Sequence, residues 1–325
     1  MHQRLCSVSV DLDPLRCYYQ IHGLGEPPAG LTDVVLKRAL PRFLDLFARH
    51  RLQSTLFVVG SDLVGDAAKA GRLLLKEAAA AGHELGNHSF SHHYDLARRS
   101  RAEMEREVGD AHQALRSLLG RPPVGFRSPG YDLSPELVEV LESFAYQYDS
   151  SLFPCPPYYL AKLAVLGKMA LFRQKSGAII GSPRAQLAPT QPYRPDPQHP
   201  WRSGQACLVE LPVAVTPWLR LPAIGSSVLL SAPLRWLVLR GMNSQPYFNF
   251  ELHGMDLLDA DEDGLPDELR LRQVDLRVPL AERMRALDEV LTHMRQNAQP
   301  LPLFTVADQV QLHGHVQAPT RGRKS

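Results

Sequence analysis

Short apolar runs alternate with amphipathic stretches through the first 150 residues of the chain. "RLCSVSVD" (4–11) predicts a strand with a polar end, and "STLFVVG" (54–60) predicts a buried strand. Between them, "TDVVLKRALPRFLDLFARH" (32–50) has helical spacing, with Thr32 as N-cap and Pro41 as a kink. The alanine-rich "AAKAGRLLLKEAAAAG" (67–82) predicts a helix closed by Gly82, a residue suited to a left-handed cap. The alternation continues with a strand at "HELGNHS" (83–89), a helix at 101–120 and a strand at "PVGFRS" (123–128). A helix opened by Ser134 and Pro135 follows, then a strand at "AYQYDSS" (145–151).

Repeated strand–helix units of this length predict a parallel sheet with flanking helices, as an open sheet or as a barrel. Residues 155–205 break the rhythm. Six prolines fall between Gly177 and Gly204 with little periodicity, which predicts a long irregular insertion. The pattern resumes with strands at "ACLVELPV" (206–213) and "YFNFELHG" (247–254), a helix at 280–297 and a strand at "LFTV" (303–306). Residues 1–312 are expected to form one catalytic domain, and 313–325 a flexible basic tail.

Composition narrows the partners. Net charge is +2 and the apolar fraction 44%, so nothing asks for nucleic acid and a full core is available. No charged head followed by a long apolar run opens the chain, and "SSVLLSAPLRWLVL" (226–239) is too interrupted to span a bilayer. A cytoplasmic protein is expected, touching at most the inner membrane face. Cys6, Cys17, Cys155 and Cys207 are scattered and predict reduced, buried thiols.

Four of the thirteen histidines crowd into "GHELGNHSFSHH" (82–93). His88 and His92 are four apart, so one helical turn would aim both imidazoles the same way, as two nitrogen ligands of a divalent ion require. His93 would point elsewhere, and His83, opening the strand, is expected to be structural. The stretch by itself also fits a histidine-rich surface turn. In "VSVDLDP" Asp11 and Asp13 leave one face at a strand end, where parallel α/β folds build sites; an Asp-Pro turn cap is the alternative. In "GFRSPGYD" Arg127 could pair with a carboxylate from a neighbouring strand, and Gly130 could bring a backbone N–H close to a ligand; a simple type II turn fits equally. His253 ends an aromatic-rich strand.

Taken in order, "SVDLD", "HSFSH", "RSP" and "LHG" resemble the motifs of the polysaccharide deacetylase (NodB-homology) family, carbohydrate esterase family 4, over residues 5 to 310. The resemblance implies a distorted (β/α) barrel. It implies that Asp13, His88 and His92 bind one divalent metal, that Asp11 is the catalytic base and Arg127 its tether, and that His253 protonates the leaving amine. It also places the Gly130 N–H near the oxyanion and Tyr131 in the substrate groove. Two departures stand out: Leu12 separates aspartates that familiar members carry side by side, and "RSPGY" replaces R-P-P-Y-G.

Two imidazoles and a carboxylate leave open positions for water and substrate, and zinc fits that set best, with cobalt, iron or nickel tolerated. The expected activity is metal-dependent removal of an acetyl or other small acyl group from an N-acylated amino sugar, either a glycan precursor or a lipid-linked glycan. Apolar loops around 160–172 and 219–239 would suit the latter. The alternatives are an allantoinase-like cyclic-amide or ureide hydrolase and an inactive glycan-binding protein. Weaker candidates are Asp149 and Glu210 as cleft acids, and Trp201, Pro217, Trp218 and Pro222 as a stacking groove, with Trp218 the chosen substrate contact. Asp259, Asp261 and Asp263 mimic a calcium loop, but its twelfth position is Arg270 where a bidentate glutamate is needed, so a solvated acidic loop is preferred. The oligomeric state is left open.

Overall fold

The computed structural model describes residues 4–171 and 176–313. The strands are β1 (Leu5–Asp11), β2 (Thr55–Val58), β3 (Glu84–Asn87), β4 (Gly125–Phe126), β5 (Tyr148–Asp149), β6 (Pro195–Asp196), β7 (His199–Ser203), β8 (Val209–Glu210), β9 (Tyr247–His253) and β10 (Gln299–Pro300). The helices are α1 (Leu15–His22), α2 (Leu40–Arg49), α3 (Lys69–Ala80), α4 (Arg101–Leu119), α5 (Pro135–Ser143), α6 (Pro156–Leu171), α7 (Gly225–Val228), α8 (Ala232–Met242), α9 (Asp267–Arg272), α10 (Leu280–Asn297) and α11 (Leu303–His313).

β1 is the keel of the sheet. β9 pairs along its whole length on one side, while β2 takes its end and β10 its beginning. From β2 the order runs through β3, β4, β5 and β8, every pair parallel. Beyond β8 the chain swings back to β9, where the Ala214 N–H donates to the Asn249 carbonyl at 2.9 Å. The Asn249 side-chain amide donates to the Leu211 and Pro212 carbonyls. These bonds curl the sheet into the half-barrel expected from the strand–helix rhythm.

Period two decides what faces inward. Cys6, Val8 and Val10 of β1, with Leu12 just beyond it, join Phe248, Phe250 and Leu252 of β9 in the core under the helices. Ser7, Ser9 and Asp11 face the other way, in register with Asn249, Glu251 and His253. The interior is therefore polar, and its strand ends carry acids and histidines.

Helix ends follow their sequence signals. Ser100 and Glu103 form a reciprocal capping box on α4, Gly120 closes it with φ 72°, and Ser134 caps α5. Ahead of α2, residues Val35–Ala39 form one wide π turn, and the Leu40 N–H reaches back to the Val35 carbonyl. The wide turn lets the chain pass Pro41, which has no N–H to donate. Thr32 does not cap the helix; its hydroxyl donates to the Ala29 carbonyl.

Four further expectations are corrected. "LFTV" opens α11 instead of forming a strand, because Leu303, Val306, Ala307 and Val310 recur at helical spacing and are buried together. The irregular segment contains a sixteen-residue helix, α6, begun by the proline pair Pro156–Pro157, and the hairpin β6–β7. The apolar stretch near 226–239 likewise folds largely as α7 and α8, so it is not a loop. Cys6, Cys17 and Cys155 are buried free thiols, but Cys207 is exposed. The proposed tail lies outside the described residues beyond His313, as does Phe172. Among the described residues no helix is long and apolar enough to cross a membrane.

Candidate active site

The carboxyl ends of β1, β3, β4 and β9 meet at one cleft of about 410 Å³. Asp11, Asp13, His88, His92, Gly130, Tyr131 and His253 all line it. The Nε2 atoms of His88 and His92 lie 3.2 and 3.1 Å from the same atom, Asp13 Oδ1. That oxygen is buried and makes no well-aligned hydrogen bond. Lone pairs that converge without an N–H···O alignment are what a cation needs, so the residues fit a divalent ion. Asp13's charge outweighs the burial that disfavours an imidazolium and raises His92 to about 9, so a cation bound here must displace a proton.

The loop that presents the histidines is not helical. Ser89 and His92 both have φ 60°, the left-handed region that side-chain-bearing residues rarely enter. The strain is held in place by hydrogen bonds. Asn87 Oδ1 accepts from the Ser89 N–H, Ser89 Oγ accepts from the His92 N–H, and Glu107 of α4 accepts from the N–H groups of Phe90 and Ser91. Two left-handed residues, and not one helical turn, thus bring positions four apart onto one point. His88 Nδ1 donates to the Arg127 carbonyl at 2.8 Å, which leaves the Nε2 lone pair for the ion. His83 accepts from the Ser54 N–H at the strand's start, and His93 lies beside Glu107, 3.6 Å away.

Arg127 is fully buried and spends its whole guanidinium. Nη1 donates to Asp11 Oδ1 at 2.6 Å and faces Glu251 Oε1 at 3.2 Å. Nη2 donates to Ser9 Oγ and Ser150 Oγ, and Nε to the Ser150 carbonyl. Its flat face lies on Phe57, 4.3 Å from the ring centroid.

Glu251 was not singled out in the sequence. Burial, reinforced by Asp11, raises it to about 7 against the pull of Arg127. The signal was available: it precedes His253 by two on an inward-facing strand. Across the cleft His253 is raised to about 9, because Glu251, Asp13 and Asp11 together outweigh burial. The carboxylate of Asp256, one turn on, accepts from the His253 N–H at 2.8 Å.

Gly130 has φ 84°, and a Cβ there would stand 2.9 Å from the Tyr94 carbonyl, so only glycine suits this close turn. The ring of Tyr131 lines the cleft while its hydroxyl donates to Glu251 Oε2 at 2.8 Å. Trp218 is a correction: it is 99% exposed, in a tight turn closed by the Val215–Pro222 bridge. Trp201, Pro217 and Pro222 also lie outside the cleft lining. Asp149 and Glu210 are fully buried behind the site, where they accept hydrogen bonds from Ser151 and Leu152. Asp263 is bound by Arg42, Asp261 by Arg270, and Asp259 accepts backbone N–H bonds, so these carboxylates are already engaged.

Asp256 gives a first test. Burial and the neighbouring Asp275 raise it to about 7, well above the ~3.9 of a free aspartate. The folded protein therefore keeps a proton that the unfolded chain releases, and stability falls as pH rises from ~4 to ~7. The melting temperature of Asp256→Asn relative to wild type should climb by on the order of 5 °C between pH 5 and pH 8. A difference that does not change with pH would remove this account.

Residues 28–148 match the family model for polysaccharide deacetylases, from ahead of β2 to the start of β5. Asp11, Asp13 and His253 lie outside the matched span. Among characterised proteins, the peptidoglycan deacetylase of Helicobacter pylori is 26% identical over 160 residues, 48% of this chain and 53% of that protein. The chitooligosaccharide deacetylase of Sinorhizobium fredii is 38% identical over 96 residues, 29% of this chain and 42% of that protein. The chain thus spans about half the length of these relatives. A solved structure from Mycobacterium smegmatis, named for the polysaccharide deacetylases, aligns over 100% of this chain and 96% of its own, with TM-score 0.60 and 16% identity. One from Pseudomonas aeruginosa, similarly named, aligns over 96% and 92% with TM-score 0.57 and 15% identity. These two likenesses bear on the fold. Residues 28–148 thus carry the match to the polysaccharide deacetylase family, and the fold of the chain agrees with it.

Proposed function

We propose that the chain is a metal-dependent amide hydrolase that removes an acetyl or other small acyl group from an N-acylated amino sugar. The observation that carries this reading is the convergence of Asp13, His88 and His92 beside the Asp11–Arg127 pair, with His253 on the same cleft. Asp13, His88 and His92 would hold one divalent ion, most simply zinc. When bound, such an ion polarises the amide carbonyl and makes water acidic enough to attack near neutral pH.

The chain's own residues supply the proton traffic. Asp11, held by Arg127, takes the proton of the attacking water through the carboxylate oxygen that Arg127 leaves free. His253, protonated near neutrality, gives a proton to the departing amine. The Gly130 backbone turns close to the cleft wall, where its N–H can hold charge on the carbonyl oxygen. One wall is largely apolar: Tyr158, Ala161, Val165, Leu166 and Met169 of α6 face the cavity with Lys162 among them, and Val165 is also 58% exposed. An apolar surface that continues from cleft to exterior supports a substrate with an apolar substituent, such as a lipid-linked amino sugar.

Asp11→Asn tests the chemistry. It should keep the metal and lower kcat by roughly 10²- to 10⁴-fold, the usual worth of a positioned base. The panel should include N-acetylated chito-oligosaccharides and lipid-linked amino sugars. Undiminished turnover by the variant, or no turnover of any member by the metal-loaded wild type, would count against the proposal.

A further inference from the structure

The far wall of the cleft, beyond His253, has its own polar chemistry that proton transfer does not use. Tyr18 and His22 come from α1, Gln273 and Asp275 from the segment after α9, and Asp256 from the turn after β9; all five line the cavity. Asp275 is 3% exposed. One of its oxygens, Oδ2, is held by the Gln273 amide, whose own oxygen pairs with His22 Nε2 at 3.0 Å. The other, Oδ1, is buried and has no partner among the described residues. The hydroxyl of Tyr18, a residue 6% exposed, also has none. Buried polar atoms are nearly always paired, and leaving one unpaired is costly. Here a donor and an acceptor are both left open at the wall of one cavity, and the His22–Gln273 link fixes the acceptor's direction.

From this we infer that Tyr18, Asp275 and Asp256 form a subsite for the hydroxyl groups of a polyhydroxylated ring. The inference rests on the amide-hydrolase reading for the ring's identity, an N-acylated amino sugar, but not for its binding chemistry. A sugar hydroxyl both donates and accepts, so it can satisfy the Asp275 oxygen and the Tyr18 hydroxyl in turn. Asp256 is presented to the cleft by a close fit: a Cβ on Gly225 would stand 1.9 Å from its Oδ2. Burial, with Asp275 beside it, pushes Asp256 to about 7, and burial pushes Asp275 upward, so the pair retains a proton near neutrality. A partly protonated pair suits hydroxyls better than a cation, which needs full charge. The apolar wall of α6 and this polar wall then sort the two halves of one amphiphilic substrate.

The test uses metal-loaded protein and two probes. Octyl 2-acetamido-2-deoxyglucopyranoside carries ring, amide and apolar tail; 4-nitrophenyl acetate carries an acyl group and no ring hydroxyls. Asp275→Asn and Tyr18→Phe should each weaken calorimetric binding of the glycoside at least tenfold, and change ester hydrolysis less than twofold. Unchanged glycoside affinity in both variants overturns the subsite, as does a parallel loss of ester hydrolysis, which marks a structural role. A wild type that hydrolyses the ester but does not bind the glycoside also overturns the subsite while leaving the hydrolase. If the wild type binds the glycoside yet hydrolyses neither probe, the tenfold losses still establish the subsite, and the hydrolase reading fails alone.

Discussion

On the proposed assignment, His92→Ala will abolish divalent-metal binding and reduce amide hydrolysis to the background of the assay. Three donors converge on one point, and Asp13 Oδ1 is already buried without a well-aligned hydrogen bond. Removing one imidazole leaves two donors, too few to hold an ion against water. Even partners behind a ligand are worth about 10- to 100-fold in metal affinity, so a ligand itself should cost more. The loop should survive, because Ser89 and Glu107 hold it through backbone N–H groups. His93→Ala is the matched control: its side chain is 39% exposed and faces Glu107, so metal and turnover should be kept. Metal content by mass spectrometry and hydrolysis on the same samples decide the matter. A His92→Ala protein with one equivalent of metal and full turnover would sink the assignment.

Arg127→Met should be the most damaging single change to stability. It removes the guanidinium that touches both Asp11 and Glu251, and both carboxylates are buried. Breaking a buried pair by deleting one partner costs about 3–5 kcal/mol, because the remaining charge keeps its desolvation penalty. Lysine should rescue little. It brings three donors on a flexible stem, whereas the site uses a planar fork bonded to Asp11, Ser9 and Ser150 at once. Chemical denaturation should show a larger loss at pH 8 than at pH 5, since Glu251 is protonated below about 7 and then needs no counter-charge. A loss under 1 kcal/mol at pH 8 would refute the reasoning.

Much of this centre was legible from one chain. The Asp-x-Asp pair could be placed on one face because strand periodicity is independent of tertiary detail, and β1 runs in extended form to Asp11. His88 and His92 do converge on Asp13 Oδ1, but by a route other than the one their spacing suggested. Helical spacing suggested convergence, while the fold achieves it with two left-handed residues held by Asn87, Ser89 and Glu107. Such strain is paid for by tertiary hydrogen bonds, so local sequence carries little trace of it.

Glu251 was missed because an acid in a strand reads as a solvent-facing residue until a buried arginine from another strand is seen to face it. The apolar stretch at 160–172 was noticed but read as a loop, because the prolines of 183–200 coloured the whole segment, although the Pro156–Pro157 pair is a helix-start signal. Trp218 was overvalued: an aromatic beside proline has no preferred direction until the turn that carries it is known. The Asp275–Gln273–His22 chain joins residues some 250 positions apart, beyond the reach of any local pattern.

The placement of α6 has an evolutionary consequence. Asp11, Asp13, His88, Arg127 and His253 sit at the ends of β1, β3, β4 and β9, whereas the apolar wall comes from one contiguous excursion between β5 and β8. Lineages can lengthen, shorten or recompose that excursion without shifting a strand in register. The apolar wall and the residues proposed to break the bond are thus encoded in separate stretches of the gene, and selection can diversify the first while the second stands still.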